Sequence, residues 1–241
     1  MFMKSAIALI AAAVLLVPLT ATGQDYGEVD EIVVTGSRLA GWGPEEVPQV
    51  RLARRADNLV IQVQVICDTR DSAQRRAELL ETLRNVARAA AGRDDIDLST
   101  GSDILSDFDE TMAAGLTIGV DRTRADTSVV TLTIKTPVRA DDTLDTATAR
   151  IERFVAQAPK TGRTEILMTG DWELTLVGPD RYRGEILTAI AADARRTADA
   201  FGDRYAVQVE GLAHRVTWTQ SGPLDLSLFI PYQLTVTPAG S

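Results

Sequence analysis

The sequence predicts an α+β protein in which a largely antiparallel sheet is covered on one face by about three amphipathic helices. Three observations predict it. Several runs alternate apolar and polar residues, so each makes a strand with one apolar face. Three longer segments carry their apolar residues at three- and four-residue spacing instead, which gives a helix one apolar stripe. The continuously apolar strands of a doubly wound parallel sheet are missing, so the sheet is expected to have one covered face.

The chain opens with Lys4, an apolar run from Ala6 to Leu19 broken by Pro18, and small residues that include Ala21 and Gly23. Basic, apolar and small segments in that order define a secretory signal peptide over 1–23, with the mature chain expected from near Gln24. The run is shorter than the ~20 residues a spanning helix needs. No Cys stands at the cleavage point for lipid attachment. The expected location is the periplasm of a Gram-negative envelope, with no membrane span after cleavage.

Residues 24–57 read as a flexible tail or linker. They hold Gly41, Gly43, Pro44 and Pro48, the pairs Glu45–Glu46 and Arg54–Arg55, and one β-prone island, Ile32-Val33-Val34-Thr35. The ordered domain is expected over 58–237. Leu59 to Cys67 alternates as a strand, with Gln62 and Gln64 turned away from the apolar face. Asp71 or Ser72 caps a first helix to about Ala91, with Ala73, Ala77, Leu80, Leu83, Val86 and Ala90 as its stripe and Gly92 as its stop. Residues 93–115 are acidic and polar and read as a loop or short hairpin.

Ser128 to Thr136 alternates and ends at Pro137. A second helix starts at Asp141 or Asp142, with Leu144, Ala147, Ile151, Phe154 and Ala158 on one face. Thr164 to Val177 is strand-like, with a bend at Gly170. Pro179 suits the first turn of a third helix. That helix runs to Phe201 with Tyr182, Ile186, Ile190, Ala194, Thr197 and Phe201 inward, and Gly202 ends it. Val207 to Thr219 and Leu224 to Thr237 are the last two strands, joined at Ser221-Gly222-Pro223. Pro231 marks the final one as an edge strand or a bulge.

In this order the chain resembles the SIMPL domain family of bacterial envelope proteins over about 57–237. Asp57 precedes the first alternating strand, and Asp71-Ser72-Ala73-Gln74-Arg75-Arg76-Ala77 opens an acidic, alanine-bearing helix. The segment 186–201, rich in Ala, Asp and Arg, stands where the family has such a helix. Residues 93–127 depart from the pattern, lacking the family's aromatic, Pro-containing segment. The resemblance implies an α+β envelope protein prone to self-assembly, and it supplies no catalytic residues.

A second likeness lies in the tail. Asp30-Glu31-Ile32-Val33-Val34-Thr35-Gly36-Ser37-Arg38 resembles the TonB box near the mature N-terminus of TonB-dependent outer-membrane receptors. A β-branched segment on a flexible tail can add its backbone to a partner's sheet edge. The contact residues are then Glu31, Ile32, Val33, Val34, Thr35 and Gly36, and the partner is the TonB periplasmic domain or an outer-membrane receptor system. The chain is too short, and too rich in helix, for a plug and barrel of its own. The competing expectation is that 32–36 is the first strand of the domain, since SIMPL domains begin with a similar strand ending in Val-Thr-Gly.

Composition argues against other classes. The formal net charge is −9, which disfavours nucleic acid and anionic lipid. Cys67 is the single cysteine, so no internal disulfide forms. It falls in phase with Leu59, Ile61, Val63 and Val65 and reads as a core residue.

His214 is the single histidine, in a strand-like run, so neither a Ser–His–Asp site nor zinc is indicated. No phosphate-binding loop, dinucleotide fingerprint or nucleophile elbow is present. The acidic residues Asp94, Asp95, Asp97, Asp103, Asp107, Asp109 and Glu110 start like a calcium loop. They fail at Thr100, where Gly is needed, and at Ser106, where Glu is needed. No cofactor, metal or catalytic residue is expected. The expectation is a binding or assembly protein that engages TonB. The alternatives are an envelope homo-oligomer and a hydrolase using spatially paired carboxylates.

Overall fold

The computed structural model describes the backbone of 32–34 and residues 48–101, 104–121 and 123–239. The expected signal segment and most of the expected tail lie outside the described residues. In chain order the strands and helices are β1 (Ile32–Val34), β2 (Leu52–Arg55), β3 (Asn58–Cys67), α1 (Ser72–Ala91), β4 (Asp97–Thr100), β5 (Ser106–Asp107), β6 (Gly119–Val120), β7 (Ser128–Pro137) and α2 (Leu144–Gln157). They continue with β8 (Thr164–Leu176), α3 (Arg183–Phe201), β9 (Tyr205–Glu210), β10 (Thr217–Gln220), β11 (Asp225–Phe229) and β12 (Gln233–Pro238). Short 3-10 helices span Glu110–Gly115 and Pro179–Tyr182. The architecture is α+β with antiparallel pairing throughout.

The main sheet is seven-stranded, in the order β1-β8-β3-β7-β4-β5, with β6 also on β7. Strand β3 is central, and its alternation sets the two faces. Ile61, Val63, Val65 and Cys67 point into the first core with Leu79, Leu83, Val86, Ile151 and Phe154 from α1 and α2. Gln62 and Gln64 point the other way and are half-buried. Each large aliphatic buried there contributes roughly 1.5–3 kcal/mol. The N-cap of α1 is Asp71, whose side chain accepts from the Gln74 N–H, and Gly92 closes the helix.

The second core lies at the other end of the same face. It joins Leu59, Leu174 and Leu176 to Ile186 and Ile190 of α3 and to Leu226 and Leu228 of the three-stranded sheet β10-β11-β2. Trp172 touches both cores. It enters from a bulge in β8, where the ladder steps from Val60↔Glu173 to Gln62↔Thr169. Gly170 sits there at φ +80°, a left-handed conformation suited to glycine.

The structure corrects several expectations. Leu52–Arg55, expected as part of the tail before Asn58, is a strand paired with β11. Neither late run is one strand. Val207 to Thr219 is broken after Glu210, where Gly211 at φ +86° turns the chain, and Leu224 to Thr237 is broken at Ile230–Tyr232. The halves go to different sheets, β9 with β12 and β10 with β11. Pro231 therefore marks a break between strands. Helix α2 begins at Leu144, because Thr143 and Thr146 form a reciprocal cap. Ala73 and Ala77 are exposed, because at 3.6 residues per turn they fall on the side of α1 away from Leu79, Leu83, Val86 and Ala90. Phe201 is 54% exposed against Tyr205 at the overhanging end of α3.

Candidate functional site

Strand β8 is the place where β1, from the segment expected as a tail, joins the main sheet. Its last residues, Leu174, Thr175 and Leu176, lie between β3 on one side and β1 on the other. The register is Ile32↔Leu176, Val33↔Thr175 and Val34↔Leu174, antiparallel. Leu174 and Leu176 face the second core and are buried. Thr175, also buried, faces away and accepts at Oγ1 from Asn58 Nδ2 at 3.3 Å.

The end of β8 is clasped by charge. Asp57 Oδ2 accepts from the Val177 N–H at 2.8 Å, and both Asp57 oxygens accept from Arg181 Nη2 at 2.9 Å. Gly178, at φ +53°, turns the chain into the 3-10 helix at Pro179. Two guanidinium groups stand over the Tyr182 ring, Arg181 at 4.7 Å and Arg54 at 5.6 Å from its centre. Arg54 is held in turn by Glu185 at 2.7 Å. Strand β2, the end of β8 and the start of α3 are thereby fixed together beside the β1 ladder.

Of the predicted contact residues, Ile32, Val33 and Val34 form β1, while Glu31, Thr35 and Gly36 lie outside the described residues. Sequence reading missed the acceptor. Its signal was the run Leu174-Thr175-Leu176-Val177 ahead of Gly178-Pro179, read only as a strand end.

The other candidates are dispersed. His214 lies in the 211–216 turn, not in a strand. Its Nδ1 is 3.0 Å from the Pro231 carbonyl oxygen, and its own carbonyl accepts from Arg183 at 2.6 Å. Cys67 is fully buried, with Sγ 3.4 Å from Glu78 Oε2. Glu78 also accepts from the Thr69 hydroxyl at 2.5 Å, the Arg163 N–H at 3.1 Å and Gln74 Nε2 at 2.8 Å. These bonds, the Thr69 hydroxyl first, hold its pKa down at about 2.

The acidic stretch divides among separate partners. Asp95 pairs with Arg93 at 2.8 Å, Asp107 with Lys135 at 3.0 Å and Glu110 with Arg88 at 3.0 Å. Asp109 caps the 3-10 helix, and Asp103 lies outside the described residues. Among the described residues no group of three or more His, Cys, Asp or Glu converges as a metal requires.

Carboxyl chemistry follows the same rule. The pKa values of Asp68, Glu78, Asp95, Asp109, Asp121 and Asp142 all lie below the ordinary range, because each carboxylate accepts hydrogen bonds from hydroxyl, guanidinium or backbone groups. A general acid for glycoside hydrolysis needs the opposite shift. Among the described residues no helix is long and apolar enough to cross a membrane.

No family model matches the chain, and no curated protein matches it. A solved structure of an uncharacterized conserved protein from Listeria innocua is similar at 10% identity and a TM-score of 0.16, covering 78% of this chain and 92% of that one. At that score the likeness carries no argument about fold or function.

Proposed function

We propose that the chain is an exported, non-catalytic binding and assembly protein of the bacterial envelope, working through the β8 edge and the segment Glu31–Gly36. One observation carries this reading. A segment whose sequence suits strand addition is itself added, antiparallel, to a sheet edge at Leu174–Leu176. The TonB periplasmic domain, or an outer-membrane receptor system, is the partner that the sequence of this segment fits. A partner that takes the edge of this segment now paired with β8 displaces β1, whereas one that adds to its other edge leaves the β1–β8 ladder in place. The same ladder also suits a second use, in which Ile32–Val34 stays in place as a strand of an envelope homo-oligomer.

Calorimetry of the mature protein against a purified TonB periplasmic domain, beside a variant lacking Glu31–Gly36, tests the reading. Saturable binding that disappears in the variant supports engagement of TonB. No binding, with the variant misfolded or dissociated, gives the segment to the domain and leaves the homo-oligomer.

A further inference from the structure

We propose that Thr164–Thr169, the outer stretch of β8 before its bulge, is the contact through which two copies of this chain join about a two-fold axis. This goes beyond the reading above: it requires neither TonB nor the release of Ile32–Val34. Among the described residues β8 pairs with β3 along its length, but with β1 only at Leu174–Leu176. The outer backbone of 164–169 has no strand beside it there. An edge of this kind is a template for another chain, and proteins guard it with Lys, Pro, inward charge or a bulge. Thr164-Glu165-Ile166-Leu167-Met168-Thr169 contains no Lys and no Pro. The bulge comes only afterwards, at 170–172.

The stretch is apolar on both faces at its middle. Leu167 lies opposite Gln64 and is 36% exposed; Met168 lies opposite Val63 and is 41% exposed. Its charges identify the occupant. Arg163 stands at one end, with Asp68 at 2.6 Å, and Asp171 stands exposed at the other. Glu165 is the single charge between them, with Arg124 at 4.0 Å. A second copy laid antiparallel brings opposite ends together. With Leu167 on the axis, Leu167 faces Leu167, Ile166 faces Met168, Glu165 faces Thr169, and Arg163 comes toward Asp171. No like charges oppose each other in this register. A parallel copy in register sets Glu165 on Glu165 and Arg163 on Arg163, which is destabilising. The two-fold arrangement also closes at two copies, with one antiparallel sheet running through both.

Sedimentation velocity of the mature protein is expected to give a dimer. Leu167→Lys, which puts two like charges on the axis, is expected to give a monomer with an unchanged circular dichroism spectrum. Leu167→Cys is a second, independent arm. Residues facing each other across an antiparallel axis lie about 4.5–5.5 Å apart at Cα, within disulfide range, so mild oxidation is expected to cross-link this variant fully. Glu165→Cys, displaced from the axis, is expected to remain uncross-linked. Deleting Glu31–Gly36 should leave the Leu167→Cys cross-link in place even if TonB binding is lost. A monomeric mature protein, a dimer that survives Leu167→Lys, or cross-linking as efficient at residue 165 as at 167 overturns the proposal.

Discussion

Arg150 of α2 grips Asp142 at 2.6 Å, with both side chains almost out of water, at 10% and 7% exposure. Arg150 also donates through Nε to Thr136 Oγ1 at 3.0 Å and through Nη2 to the Pro137 carbonyl at 2.8 Å. Arg55 of β2 donates to the Asp142 and Arg139 carbonyls. One buried pair therefore ties the end of β7, the start of α2 and β2.

Breaking that pair leaves a buried charge unmatched. Arg150→Met is expected to cost about 3–5 kcal/mol in urea unfolding. The Arg150 guanidinium holds the pKa of Asp142 down at about 2. Because the folded value is depressed, this stabilisation is present above the ordinary value of 3.8 and is lost as pH falls toward about 2. The variant should lose the share of the acid-dependent slope that Asp142 contributes in that window, leaving the share of Glu78 and the other lowered carboxyl groups.

Tyr232 gives the alkaline counterpart. Its hydroxyl donates to Asp193 Oδ2 at 3.0 Å, and burial, followed by that carboxylate, pushes its pKa up to about 12. Its folded value is raised, so the contribution is full below the ordinary value of 10 and is lost as pH rises through about 12. Tyr232→Phe is expected to cost about 1 kcal/mol at neutral pH. It should also flatten the alkaline decline, read by denaturant melts at stepped pH.

Two glycines separate conformational cost from collision. Gly170 has φ +80° with open space where a Cβ would stand, so Gly170→Ala is expected to cost about 1–2 kcal/mol from backbone strain alone. Gly211 has φ +86°, and a Cβ there would stand 2.7 Å from the Pro231 carbonyl oxygen. Gly211→Ala must therefore cost more, and equal losses in chemical denaturation would show the Pro231 contact to be soft.

The ladder of β1 can be read directly. Replacing Ile32 and Val33 with proline removes whichever of their N–H groups faces β8. Hydrogen exchange is expected to rise at the amides of Leu174–Leu176 that point to β1, with those that point to β3 unchanged. Exchange unaltered at all three amides would mean that β1 protects none of them.

Local signals were legible where local chemistry decides the outcome. Asp71 and Gly92 bound α1, and Gly170 bends β8, as read from residue type. The late strands were misread because alternation cannot register a turn of the chain. Gly211 and Pro231 divide runs that look continuous, and each half finds a different sheet. Leu52–Arg55 read as tail because four residues beside Pro48 carry little periodicity, and its partner β11 is remote in sequence. The Asp142–Arg150 pair lay eight positions apart, beyond one helical turn, and its burial comes from tertiary packing. The recipient of the Ile32–Val34 segment was hidden for the same reason: sheet partners across the chain leave no local trace.

Pairing of Arg55 with Asp225 has a consequence for how the molecule comes into being. The strand β2 enters the three-stranded sheet through β11 alone, so an early-synthesised piece of the chain waits for one of the last. Contacts so distant in sequence slow folding, because the loop must close before they stabilise anything. A nascent chain lacking residues beyond about 224 holds the main sheet strands but cannot complete the second core. Closure of the second core is thus gated by the arrival of Leu226 and Leu228, and a chain cut short before them leaves that core incomplete.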